Sequence, residues 1–160
     1  MASNAVSTAG MFVLWAVEQV AGTRPTSGYT KIPGCKAIPA IFNDPNMLQS
    51  TPLDATKNHT YIEGLNDSGG SISITVNDFP TFRTSWENAI TAYAGLTGGK
   101  KMWFEISYPS GSNLDSFYFP GEPLALGFGG ADVDSVLETN ANIAPQGDYL
   151  FAAASTNISG

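Results

Sequence analysis

The spacing of apolar positions changes along this chain, and each spacing names an element. From Met11 to Gln19 nearly every residue is apolar: Met11, Val13, Trp15 and Val17 would share one face of a strand and Phe12, Leu14 and Ala16 the other, so both faces need cover. Over residues 71–76, SISITV, the alternation is strict, with Ile72, Ile74 and Val76 on one side and Ser71, Ser73 and Thr75 on the other. That pattern predicts a half-buried antiparallel strand. The period then becomes helical. Phe79, Phe82, Trp86, Ile90 and Tyr93 fall at steps of 3, 4, 4 and 3, which lines them along one face. Asp78 is placed to cap the first turn, where Pro80 is tolerated because first-turn N–H groups lack intrahelical partners. The run Thr84 to Glu87 offers a second, capping-box start, and Gly95, Gly98 and Gly99 supply the stop. A face carrying four aromatic rings cannot stay in water, so this helix must lie across a sheet.

The rest of the chain reads as strand and turn. Tyr61 to Leu65 leads through a turn at 66–70 into the 71–76 strand. Met102, Phe104, Ile106 and Tyr108 alternate with Trp103, Glu105 and Ser107, and a turn at 109–113 returns the chain into Leu114 to Phe119 as a hairpin. Leu124, Leu126 and Phe128 alternate with Ala125 and Gly127 before a break at Gly129 and Gly130. Asp134 to Ile143 alternates again: Asp134, Glu138, Asn140 and Asn142 on a polar face interrupted by Val136, and Ser135, Leu137, Thr139, Ala141 and Ile143 opposite. A last short strand starts at Tyr149. Residues 1–10 read as a flexible arm and 20–34 as an irregular connection. Pro39, Pro45 and Pro52 forbid a continuous central strand between 35 and 60, which leaves a loop unusually long for a compact domain. The expectation is one mainly β domain over 1–160, a β-sandwich or partial barrel with one amphipathic helix as its plug.

Composition sharpens this in two ways. Charged residues make up only 13% of the 160, about half the usual share of a soluble protein, which suits a surface covered by neighbouring copies as well as one kept soluble by neutral polar groups. The net charge of −7 is also uneven: after Lys101 there are seven acids and no Lys or Arg. A field of one sign discourages binding to nucleic acid. The single Cys35 excludes an internal disulfide and fits a reducing compartment, where it reads as a small buried residue. The apolar run 11–17 has no Lys or Arg before it and Glu18 after it, unlike a secretion signal, and no stretch approaches a membrane span.

Candidate chemistry is sparse. The lone His59 excludes a site needing two imidazoles, and no Gly-x-Ser-x-Gly elbow accompanies it. The run Gly95 to Lys101 fails phosphate-loop spacing, because Ala94 stands where the first glycine belongs and Lys101 where Ser or Thr is required. Gly127 and Gly129 lack the third glycine of a dinucleotide fingerprint, and Asp132 and Asp134 lack the Gly and Glu of a calcium loop. The expectation is therefore no enzyme, no metal and no cofactor.

Two runs carry a resemblance. TPLDATKNHTYIEGLNDSGGSISI at 51–74, followed by the aromatic helix, and FPGEPLALGF at 119–128 with VLETNANIAPQGD at 136–148, resemble tail tube (major tail) proteins of long, non-contractile bacteriophage tails. The resemblance implies a β-sandwich whose sheets join into a shared inner barrel on oligomerisation. Six-fold rings of the chain would stack into a tube through which double-stranded DNA passes without specific binding. The implied partners are the chain itself and tape-measure, tail-terminator and baseplate proteins, with no membrane, in a virion tail assembled in the host cytoplasm. On this view residues 34–58 are a long inter-subunit loop, and Asp134, Glu138, Asn140 and Asn142 face the lumen. Phe79, Phe82, Trp86, Ile90 and Tyr93 remain the helix core face. The alternatives are an inner-tube protein of a contractile injection device, and a carbohydrate- or cell-surface-binding β-sandwich using Trp15, Trp86 and Trp103 as platforms.

Overall fold

The computed structural model describes residues 7, 9–41, 45–49, 61–66, 71–109, 113–156 and 158, with 45–49 and 61–66 described as backbone. In chain order the described elements are β1 (Phe12–Val17), β2 (Thr30–Lys31), β3 (Cys35–Ala37), β4 (Pro45–Gln49), β5 (Tyr61–Asn66), β6 (Ile72–Asn77), α1 (Pro80–Ala94), β7 (Met102–Ser107), β8 (Ser116–Pro123), β9 (Glu138–Pro145) and β10 (Leu150–Ala152). The main sheet is antiparallel in the order β2-β1-β7-β8-β9-β6-β3, with β10 also paired to β8, while β4 and β5 form a separate two-stranded sheet.

The ends of this sheet are neighbours in the chain. Thr30 pairs with Trp15 at one edge and Cys35 with Val76 at the other. Only Ile32, Pro33 and Gly34 separate β2 from β3, and four residue steps can span at most about 14 Å. The sheet must therefore curl until its two edges approach, forming a partial barrel. Gly34 makes the passage possible. Its φ of +77° is left-handed, its carbonyl accepts from Asn77 N–H at 2.9 Å, and a Cβ there would lie 2.5 Å from the Phe79 ring.

The inside of the curl is filled by side chains. Val13, Ile72, Ile74, Val76, Phe104, Phe119, Ala141 and Ile143 meet there, and Phe82 and Trp86 of α1 close the cluster. The alternation expected for 71–76 holds: Ile72, Ile74 and Val76 are buried, and Ser71 and Ser73 are exposed. The β7–β8 hairpin forms as expected, though β8 runs on to Pro123. Both faces of β1 are covered as well, because Leu14 and Ala16 enter a second cluster with Tyr29, Trp103 and Tyr118 on the outside of the sheet.

Five expectations change. The helix starts at Pro80 with Phe79 as an extended N-cap, and Asp78 pairs its carboxylate with Arg83 rather than capping. Its face is rotated slightly: Ala89 is fully buried with Phe82 and Trp86, whereas Phe79, Ile90 and Tyr93 pack from the rim. Residues 124–130 form no strand despite their alternation, because Gly129 presses against the backbone of Glu138, where a Cβ would sit 2.2 Å from the carbonyl oxygen. The next strand starts only at Glu138, so Asp134 lies before it in a turn with φ of 65°. The long 35–60 interval contains β3 and β4, and Tyr61–Asn66 pairs with β4; residues 1–6, 42–44, 50–60 and His59 among them fall outside the described residues.

Gly34→Ala is expected to cost about 1–3 kcal/mol, combining left-handed strain with displacement of the Phe79 ring. Gly22→Ala is the control, since Gly22 is also left-handed at +83° but has nothing within 4 Å of a new Cβ. Urea unfolding of both variants checks this: equal losses would show that the Phe79 contact is immaterial.

Candidate assembly surface

The outside of the curled sheet has two unlike halves. On β6 and β9 the residues between the buried ones form a row of cross-strand polar pairs. Ser73 faces Asn142 and donates to its side-chain oxygen, Thr75 donates to Asn140 at 3.5 Å, and Asn77 stands opposite Glu138 in register. Lys36 on β3 pairs with Glu138 at the end of the row. Of the four polar positions read from the sequence, Glu138, Asn140 and Asn142 thus share one face, and Asp134 does not join them. The face is also less acidic than expected, because Lys36 offsets Glu138. An exposed pair of this kind contributes only about 0.2–1 kcal/mol to stability, so its main effect is on local charge: the row is a neutral surface of hydroxyls and amides.

The other half, outside β1, β7 and β8, is covered by the chain itself. All six residues of β7 are buried. Residues Thr26 to Gly28 and Thr156 zip together there, with Gly28 N–H donating to the Thr156 carbonyl at 3.3 Å and Thr156 N–H to Thr26 at 3.2 Å. This half also holds two buried carboxylates whose roles the alternation did not reveal. Glu105, fully buried, accepts from Ser155 N–H at 3.2 Å and from the Ser155 hydroxyl. The Tyr118 hydroxyl lies 3.0 Å from Glu105 and 2.7 Å from the Ala153 carbonyl, so its single proton serves one of them at a time. Burial, together with the Glu105 charge, pushes the Tyr118 phenol well above its ordinary range. Arg24 lies 4.3 Å over the Tyr118 ring. Glu18, 2% exposed, accepts from Lys101 N–H at 2.9 Å, Gly22 N–H at 3.1 Å and Trp103 Nε1–H at 2.8 Å. Burial pushes the Glu18 carboxyl up, but the donors from Trp103, Lys101 and Gly22 together outweigh it and hold the group below its ordinary value. These are structural clasps. They fasten the end of β1, the start of β7 and the tail, and each carboxylate is satisfied by N–H or O–H donors as burial requires.

Among the described residues, no group of three or more His, Cys, Asp or Glu is placed to hold a metal. Among the described residues, no helix is long and apolar enough to cross a membrane. Trp86 is fully buried with Nε1–H donating to the Leu124 carbonyl at 2.8 Å, Trp103 is 9% exposed, and Trp15 packs against the core, so the three do not form an open platform. Cys35 is half-buried against the core, and burial pushes its thiol up.

The fold has solved counterparts. A chain from the six-fold symmetrised cryo-EM structure of the anti-feeding prophage (AFP) baseplate matches with a TM-score of 0.63 at 12% identity, over 94% of this chain and 98% of its own. A chain from the sheath/tube terminator of an extracellular contractile injection system (PVC) in the extended state matches with a TM-score of 0.61 at 15% identity, over 96% and 100%. A chain from the AFP tube-terminating cap matches at 0.54 and 16% identity, over 95% of each. At these identities the likeness speaks for the fold. The sequence matches no protein-family model and no curated protein.

Glu18→Gln is expected to lower stability by about 1–3 kcal/mol at neutral pH, since bonds to a charged acceptor are replaced by weaker or mismatched ones. Because the folded carboxyl is held below its ordinary value, the wild-type advantage is complete above the glutamate range near 4.3 and is lost as pH falls through the folded value. Urea midpoints of both proteins from pH 3 to 8 check this. A gap as wide at pH 3 as at pH 7 would show that the charge of Glu18 is not what stabilises the clasp.

Proposed function

We propose that this chain is a structural, non-enzymatic protein of a tail-like injection apparatus, building six-fold rings in or at the end of its tube. The observation that carries the reading is the near-complete mutual coverage, 94–96% of this chain and 95–100% of theirs, with chains of a baseplate, a sheath/tube terminator and a tube cap. A domain with the same outline and no large insertion on either side is suited to the same kind of packing. The low charge content and the wet, neutral half-face support a subunit covered on several sides. All three counterparts come from AFP or PVC assemblies, one of them named as a contractile injection system, which favours a contractile device over a non-contractile tail. The buried tryptophans disfavour the glycan-binding alternative.

On this reading the protein resides in the assembled particle, and its partners are copies of itself together with terminator, baseplate and tape-measure proteins. Beyond β3, which belongs to the main sheet, the remainder of the 34–58 segment is the inter-subunit loop. The Glu138, Asn140 and Asn142 row lines the lumen, where a surface of hydroxyls and amides backed by an acidic ring of about −42 for six copies lets double-stranded DNA slide without sticking.

Concentrated protein is expected to form six-fold rings or tubes in negative-stain images and in sedimentation. A species that stays monomeric, even with co-expressed terminator or baseplate proteins, would sink the reading. For the lumen, Glu138→Lys removes the partner of Lys36 and leaves two cations on the row. Assembled variant tubes are expected to retain duplex DNA in low salt and release it as salt rises, while wild-type tubes retain none. Equal retention by both would place this face elsewhere in the assembly.

A further inference from the structure

Residues 150–156 run along the outside of the sheet in two parts that are held by different forces. The first part, β10, pairs with β8 over Leu150–Ala152, and Leu150 and Ala152 pack against the second cluster. The second part, residues 153–156, contributes no side chain to either cluster. Ala153, Ala154 and Thr156 are exposed, and only Ser155 is buried. The bonds that hold this strap down are polar. Ser155 donates to Glu105 from its N–H and its hydroxyl, the Tyr118 hydroxyl reaches the Ala153 carbonyl, and Thr156 exchanges main-chain bonds with Thr26 and Gly28.

The segment that the strap zips onto is anchored differently. Tyr29, fully buried, meets Tyr118 edge-on with ring centroids 5.9 Å apart and donates to the Pro25 carbonyl at 2.9 Å, while Arg24 lies over the Tyr118 ring. Residues 24–29 are thus held without help from 153–156. A segment whose closure buries little apolar surface opens at a free energy well below that of the whole domain. Glu105 makes that opening all-or-none. Its carboxylate is fully buried, Ser155 supplies two of the donors within reach and the Tyr118 hydroxyl the third, and among the described residues no cation pairs with it. A buried carboxylate deprived of two donors is costly, whereas a hydrated one is not. The strap is therefore stable with Ser155 seated on Glu105 or fully lifted with Glu105 in water, and half-raised positions are disfavoured.

We propose that residues 153–156 are a latch, hinged after Ala152, that opens as a unit while the sheet and residues 24–29 stay folded. Closed, it seals the outside of β7 and β8. Open, it bares together the Glu105 carboxylate, the Tyr118 hydroxyl, the Thr26 carbonyl and the Gly28 N–H, all of which the strap satisfies when shut. The latch makes this half of the sheet a switchable surface, sealed or polar and hydrated. It rests on contacts within one copy and is independent of the assembly proposed above.

Hydrogen exchange of the wild-type chain, followed amide by amide by NMR, tests this. Three amides report the latch: Ser155, which donates to Glu105, Thr156, which donates to Thr26, and Gly28, which donates to Thr156. They are expected to share one opening equilibrium and to exchange at least about a hundredfold faster than the amides of β7. Low urea is expected to speed β7 exchange and leave theirs unchanged, because a local opening exposes little surface. Ser27→Cys with Thr156→Cys in a Cys35→Ala background supplies a lock, since residues 27 and 156 face each other across a parallel bridge. Oxidation of that pair is expected to slow exchange at Ser155 about tenfold or more, and reduction to restore it. Latch amides that exchange only together with β7, or that show no protection or three unrelated protections, would overturn the latch. So would a cysteine pair that does not cross-link, or one whose oxidation leaves the Ser155 amide unchanged.

Discussion

A row of aromatic rings through the inside of the curled sheet is the contact on which the rest of the structure depends. Phe82 and Trp86 stack with centroids 6.2 Å apart, Trp86 meets Phe104 at 6.5 Å, Phe104 stacks on Phe119 at 5.7 Å and Phe119 meets Phe117 at 5.8 Å. The rings come from α1, β7 and β8, so the row joins the helix to the β7–β8 hairpin. Each such pair contributes about 0.5–1.5 kcal/mol beyond the area it buries, and together the rings fix where the helix lies on the sheet. The same row positions the outer features. Trp86 holds the start of the 124–137 segment through the Leu124 carbonyl, and Phe117 at the far end packs edge-on against Phe151.

Curling solves one problem of an antiparallel sheet and leaves another. Bringing β2 and β3 within three residues of one another shortens the exposed edges that invite uncontrolled pairing. It also leaves a convex outside, which this chain treats unequally. Outside β1, β7 and β8 it lays down its own residues 24–29 and 153–156, with Ser155 bonded to Glu105, while Glu18 bonds across to Lys101 and Trp103. Outside β6 and β9 it presents only short hydroxyl and amide side chains. A carboxylate buried under a strap is costly unless each oxygen finds donors, and both find them from residues far along the chain. The covered half is thereby fixed within the monomer, and the open half remains for contacts outside it.

Much of the fold was legible in the sequence. The 71–76 strand, the two-faced strand at 12–17, the hairpin of 102–107 with its return and the helix at 80–94 each follow from periodicity, because inside a regular element the side a residue faces depends only on its position in that element. The polar row at Glu138, Asn140 and Asn142 was legible for the same reason. Asp134 was not, because the alternation continues formally through a segment that Gly129 and the left-handed turn at Asp134 take out of the strand. Nor was the acidity of the row, since Lys36, its counter-charge, stands 102 residues from Glu138.

Glu105 marks the boundary most clearly. Its alternation with Phe104 and Ile106 places it on the face away from the core, and it does point there, yet it is fully buried because Ser155, 50 residues later, is folded over it. Glu18 has the same history with Trp103, 85 residues away. The sequence by itself determined which residues share a face, because that is a property of backbone period and is local. Only the tertiary structure decided which faces meet each other, which carboxylates are sealed and which apolar side chains are left outside, because those outcomes depend on chain closure between residues that no local pattern connects.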